Sequence, residues 1–128
     1  SNSNTLSNNT ITTKGGSGHG IYLTSSSSSN TISTNTITTT GSTGYGIYVS
    51  SNSFAYCYGQ TEVNGSGSHG IVIDTRSTFW RIGTLRVSNN GGWGVNTMEQ
   101  SLGKTVSGAT YSGNTSGTYT KDASSLNT

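Results

Sequence analysis

Proline is absent from this chain, cysteine occurs once, and only 8% of the residues are charged. Each shortage excludes something. A lone Cys57 can make neither an internal disulfide nor a cysteine-based metal site, which leaves it the part of a small buried apolar residue. The basic residues number 6, and only Arg76, Arg81 and Arg86 fall close together. That is not the stripe needed to neutralise a run of phosphates, so no nucleic-acid partner is expected. No apolar run approaches the ~20 residues that span a bilayer as a helix, and no membrane insertion is expected. No signal peptide is apparent and the first residue is not Met, so the sequence reads as a processed product or an excerpt of a longer protein.

Hydrophobic residues are also scarce, at 27%. Scarcity of that degree ordinarily means disorder, because too little apolar surface is buried to offset the entropy of ordering. Disordered chains, however, are rich in charge and proline and place their apolar residues at no fixed interval. Here the interval is fixed. Residues 4 to 29 (NTLSNNTITTKGGSGHGIYLTSSSSS) align with residues 30 to 53 (NTISTNTITTTGSTGYGIYVSSNS), pairing Leu6 with Ile32, Ile11 with Ile37, Ile21 with Ile47 and Tyr22 with Tyr48. The aromatic-Gly-aliphatic signature at His19-Gly20-Ile21 and Tyr45-Gly46-Ile47 returns at His69-Gly70-Ile71 and Trp93-Gly94-Val95, with a fainter fifth copy at Ser116-Gly117-Thr118-Tyr119.

Fixed self-similarity at this period signals a solenoid. Leucine-rich repeats need several Leu per unit, and this chain has five in all. Helical repeats are excluded by β-branched runs such as Thr36-Ile37-Thr38 set between Gly breakers, with no 3.6-residue apolar stripe. Each unit holds three short alternating pieces, in the first copy Thr5-Leu6-Ser7, Thr10-Ile11-Thr12 and Ile21-Tyr22-Leu23. Three strands per turn returning to the same register describe one coil of a parallel β-helix. The reading is four to five such coils of 23–26 residues in one all-β domain: regular coils over 1–53, aromatic-rich coils over 54–120 and a polar tail over 121–128.

Strand alternation then predicts columns. Ile21, Ile47, Ile71 and Val95 form one inward column, Leu6 and Ile32 start a second, and Ile11, Ile37, Val63 and Val87 make a third. Tyr22, Tyr48, Val72, Asn96 and Tyr119 are expected on the outer face. A single coil cannot fold alone, whereas stacked coils satisfy each other's backbone groups and let turn Ser, Thr and Asn form side-chain ladders. Both ends of the stack are expected to lack caps, so partner chains or further segments should cover them.

The N-T-I-x-x-N-T-I-T pairs and the G-[HY]-G-I-Y-[LV] strands resemble the right-handed parallel β-helix superfamily, the pectate-lyase-like fold. The aromatic-rich second half, with Phe54, Tyr56, Tyr58, Phe79, Trp80 and Trp93, is most similar to bacteriophage tailspike and tail-fibre domains. That resemblance implies an extracellular or virion-surface protein, a homotrimer or other self-association, and a bacterial surface glycan as partner. The fold resemblance also implies an alternative, a polysaccharide lyase or glycoside hydrolase, and the plain Ser/Thr/Asn coils suggest another, a structural rod of a surface filament or adhesin. The fold hosts many chemistries and selects none of them.

Sugar recognition uses aromatic faces framed by polar side chains, which points to Tyr22, Tyr48, Trp80, Trp93 and Arg76. The bland reading of Tyr22 and Tyr48 is a stacked ladder between neighbouring coils. Glycoside hydrolysis needs two carboxylates within about 5 to 9.5 Å, and the catalytic candidates are Asp74 and Glu62, expected on different sides of a coil. Asp74 is otherwise a surface partner for Arg76. A lyase would draw its base from Arg76 or Arg81. His19 and His69 share a position with Tyr45 and Trp93, which argues for a packing role, and no cofactor or metal is implied.

Overall fold

Thr, Ile, Val and Tyr recur in pieces too short for helices and bounded by Gly, Ser and Asn, the pattern of short buried strands. In the computed structural model, which describes residues 2–128, those pieces are parallel strands wound into about five turns. The first coil carries β1 (Thr5–Ser7), β2 (Thr10–Thr13) and β3 (Ile21–Leu23); the second β4 (Asn30–Ser33), β5 (Thr36–Thr39) and β6 (Ile47–Val49). The third carries β7 (Phe54–Tyr58), β8 (Gln60–Asn64) and β9 (Ile71–Ile73); the fourth β10 (Thr78–Arg81), β11 (Thr84–Ser88) and β12 (Trp93–Thr97). The fifth has β13 (Leu102–Lys104), a short 3-10 turn at Val106–Gly108, β14 (Thr110–Ser112) and β15 (Gly117–Lys121), and β16 (Leu126–Asn127) opens a sixth. Residues expected as a polar tail thus include a strand.

Equivalent strands stack into three parallel sheets. Sheet A runs β1-β4-β7-β10-β13-β16, sheet B is β2-β5-β8-β11-β14, and sheet C is β3-β6-β9-β12-β15. The coil is 26 residues long at the start of the rod and 24 further on. Turns absorb the difference while the strands keep register.

Register places the core where the repeat does. Ile21, Ile47, Ile71 and Val95 lie over one another in sheet C, and Ile11, Ile37, Val63 and Val87 in sheet B. Leu6 lies over Ile32, and Cys57 follows them. Like side chains therefore touch along the axis, which is how so few apolar residues suffice for a continuous core. Cys57 is 1% exposed, and burial raises its thiol pKa to about 11, so it is an inert packing residue.

One column needs correction at its end. Tyr119 was expected on the outer face of sheet C, but it is the register partner of Val95 and so belongs to the inner column; Thr120, opposite Asn96, takes the outer place. The last coil keeps the 24-residue register of the coils before it, and Gly117 sits accordingly. It aligns with Trp93 rather than Gly94, at φ 130°, and a Cβ there would lie 2.6 Å from the Trp93 ring. Only glycine fits. Tyr119 and Tyr111, the partner of Val87, then approach to 5.8 Å across the last coil, so two aromatic rings lie over the end of the core.

Polar ladders follow the turns. Asn4 and Asn9 are each hydrogen-bonded, through backbone N–H and side-chain amide, to the Oδ1 of Asn30 and Asn35 one coil on. Asn90 and Asn114 repeat the arrangement lower down. Between sheets C and A a buried serine ladder runs the length of the rod: Ser27, Ser53, Ser77 and Ser101 each donate a backbone N–H to the hydroxyl of the next serine, ending at Ser125. Beside it, Ser25–Ser26, Ser51–Asn52, Thr75–Arg76 and Glu99–Gln100 turn with both residues left-handed, at φ 50° to 62°. None of the eight is glycine, so the same left-handed pair is held in each coil by the stack around it.

Candidate functional site

Sheet C carries the first aromatic group. Tyr22 and Tyr48 project outward from β3 and β6 with ring centroids 4.8 Å apart and planes within 5°. His19 and Tyr45 stack beside them at 5.0 Å, and Tyr45 stacks on His69 at 5.8 Å. The Tyr48 hydroxyl donates to Asp74 Oδ2 at 2.7 Å, and burial, reinforced by that carboxylate, pushes its pKa up to about 12. His19 Nδ1 accepts the Tyr45 backbone N–H at 3.0 Å, and His69 Nδ1 accepts that of Trp93 at 2.9 Å. Both imidazoles must leave Nδ1 unprotonated to do so, and burial lowers both pKa values in the same sense. Ring faces in this group are turned on one another, the stacked-ladder arrangement.

Sheet A carries the second. Alternation along β7 sends Ala55 and Cys57 inward and Phe54, Tyr56 and Tyr58 outward. Phe54 and Tyr56 lie 4.7 Å apart at 43°, Tyr56 and Tyr58 6.2 Å apart at 31°. Trp80, the neighbour of Tyr56 on β10, sits 5.7 Å from it at 42°, and Lys104 on β13 continues the row, its Nζ 3.7 Å from the centre of the Trp80 ring. Tilted rings do not cover one another as parallel ones do. Tyr58 is 41% exposed. The strip is bordered by Thr31 and Ser33 above and by Leu102 and Leu126 below.

The carboxylates fall elsewhere. Glu62 stands on sheet B between Thr36 and Arg86 in register. Asp74 follows β9 at the edge of sheet C, so the two expected catalytic candidates are on different faces. Asp74 does not project freely to meet Arg76: it is 8% exposed, held by Tyr48 and by the Thr75 hydroxyl at 3.0 Å, while Arg76 donates to Asn52. The overlying tyrosine of the coil before captures it. The Thr75 hydroxyl also lies 2.9 Å from Glu99 Oε2, and the Glu99 backbone N–H donates to Asp122, whose pKa that bond draws down to about 2. Arg81 is held in a corner, donating to the carbonyls of Thr105 and Gly83. Among the described residues no group of three His, Cys, Asp or Glu is arranged to hold a metal.

The five residues expected to contact sugar do not form one site. Tyr22 and Tyr48 share sheet C with Trp93 lower down, Trp80 is on sheet A, and Arg76 lies in the turn between. The sheet A row brings together Phe54, Tyr56, Tyr58 and Lys104 around Trp80, and none of those four is among the five. The alternation Phe-Ala-Tyr-Cys-Tyr was legible as three aromatics on one face; the approach of Lys104 to Trp80 required the register of two further strands. No family model, curated protein or solved structure matches the chain. The chain is placed by its architecture, a parallel β-solenoid.

Proposed function

We propose that this chain is the β-helical segment of a virion tailspike or tail fibre, exposed outside the cell, that recognises bacterial surface polysaccharide. The observation that carries the reading is the outward aromatic strip of sheet A, a row of tilted rings on one face of the stack. Polysaccharides present C–H faces that pack on such rings, and polar Thr and Ser at the margins supply hydrogen bonds. Tailspike-like resemblance of the aromatic-rich coils supports the same assignment. Tyr119, exposed over the end of the core, suits a contact with a second copy at that end, which supports self-association; a homotrimer is what the tailspike resemblance implies. A lyase or hydrolase is supported less well, since Glu62 and Asp74 share no face.

Screening the full chain against an array of bacterial polysaccharides tests the reading. Binding to at least one polymer is expected, weakened roughly tenfold or more by Tyr56→Ala with Tyr58→Ala and unchanged by Tyr22→Ala. Loss through Tyr22→Ala alone would move the site to sheet C, and no binding to any polymer would refute the proposal. A structural rod is the second reading, favoured by the serine ladder that spans all five coils.

A further inference from the structure

We infer that the sheet A strip takes an acidic glycan, with Lys104 as the residue that reads its charge. This rests on the glycan-binding reading above and goes beyond it by naming the chemical class of the ligand. The Lys104 ammonium has the Trp80 ring as its neighbour at 3.7 Å and, among the described residues, no carboxylate partner. No strand of sheet A contains Asp or Glu. The four acids stand apart, Glu62 on sheet B, and Asp74, Glu99 and Asp122 in the turn region after sheet C. A lysine whose charge is not neutralised, placed at the end of an aromatic row, attracts an anion.

The geometry divides the work. With the ammonium over its ring, Trp80 holds Lys104 by a cation–π contact and acts as a positioning residue. Sugar packing falls to the tilted rings of Tyr56 and Tyr58. Rows on successive strands advance by ~4.8 Å along the rod, close to the advance of one pyranose along a chain. A polymer lying parallel to the axis across Tyr56 therefore brings an acidic substituent on a following sugar to Lys104.

Dextran and carboxymethyl-dextran of matched length, which share a backbone and differ in carboxylates, test this on the full chain by titration at low and at physiological salt. Carboxymethyl-dextran is expected to bind about tenfold more tightly than dextran. Lys104→Gln should bring the two to parity, whereas Lys121→Gln, an equal loss of charge at the end of β15, should leave the preference intact. Equal binding of both polymers that Tyr56→Ala weakens in both would overturn the acidic preference and leave glycan binding standing. A preference lost equally through Lys121→Gln would show attraction by net charge and overturn the role of Lys104. Binding of neither polymer, with a rod–rod complex in sedimentation that Tyr58→Ala dissociates, would assign the strip to a second copy and overturn both. Near-ultraviolet circular dichroism unchanged in Lys104→Gln separates a binding effect from misfolding.

Discussion

Replacing Ser77 with alanine removes one rung of the buried serine ladder. Ser77 Oγ accepts the Ser53 backbone N–H at 3.1 Å, and Ser77 in turn donates its own N–H to Ser101 Oγ at 3.0 Å. The second bond survives in the variant because it uses the backbone. The first does not, and Ser53 and Ser77 are 2% and 1% exposed, so water cannot replace the lost acceptor. A buried donor left unsatisfied costs about 1–3 kcal/mol. Ser124→Ala is the matched control: its hydroxyl accepts the Gln100 N–H at 3.0 Å at the surface, where water substitutes, and the change should stay within about 0.5 kcal/mol. Equilibrium urea unfolding of both variants measures the difference as a shift in midpoint at constant slope. In a thermal melt the loss should appear as roughly 4 °C per kcal/mol. If Ser77→Ala were no more destabilising than Ser124→Ala, the ladder would be geometry without energy and the account of how so polar a chain stays folded would fail.

Tyr48→Phe strips a nearly buried Asp74 of its 2.7 Å donor and should cost about 1.5–3 kcal/mol, while Tyr22→Phe, 51% exposed, should be close to neutral in the same urea assay. Because His19 and His69 are neutral acceptors with lowered pKa values, the unfolded chain binds more protons than the folded one below about pH 6.5. Their contribution is complete above that pH and is lost as pH falls through the lowered folded values; the urea midpoint should drop between pH 7.5 and 5, and a His19→Phe/His69→Phe variant should show a flat profile. Gly46→Ala would set a Cβ 2.2 Å from Val63 Cγ1 and 2.8 Å from the Gly70 carbonyl of the next coil, so it should cost at least ~1–3 kcal/mol by overpacking. Gly16→Ala meets nothing within 4 Å and should fold as the parent does.

How much of this was legible in sequence depended on whether the information was local to one repeat or crossed between coils. The columns headed by Ile21, Ile11 and Leu6 were readable, because a repeat of fixed length with strand alternation leaves little freedom in which residues superpose. The stacking of Tyr22 on Tyr48 followed from the same logic. Tyr119 was misplaced because Gly117 looks like the signature glycine, whereas its φ and its contact with Trp93 belong to a different column. Asp74 was assigned to its neighbour in sequence, Arg76, but its partner is Tyr48, one coil away. In sheet A, strand alternation alone puts Phe54, Tyr56 and Tyr58 on one face, but only the register of β7, β10 and β13 joins Tyr56, Trp80 and Lys104 in one row.

Direct superposition of successive coils is the claim on which the rest depends, and methyl–methyl nuclear Overhauser contacts measure it. With isoleucine methyls labelled, Ile47 should show cross-peaks to both Ile21 and Ile71, and Ile37 to Ile11, contacts between residues far apart in the chain that a parallel stack brings to adjacent strands. A spectrum in which Ile47 contacts neither Ile21 nor Ile71 would contradict the solenoid and every site built on it.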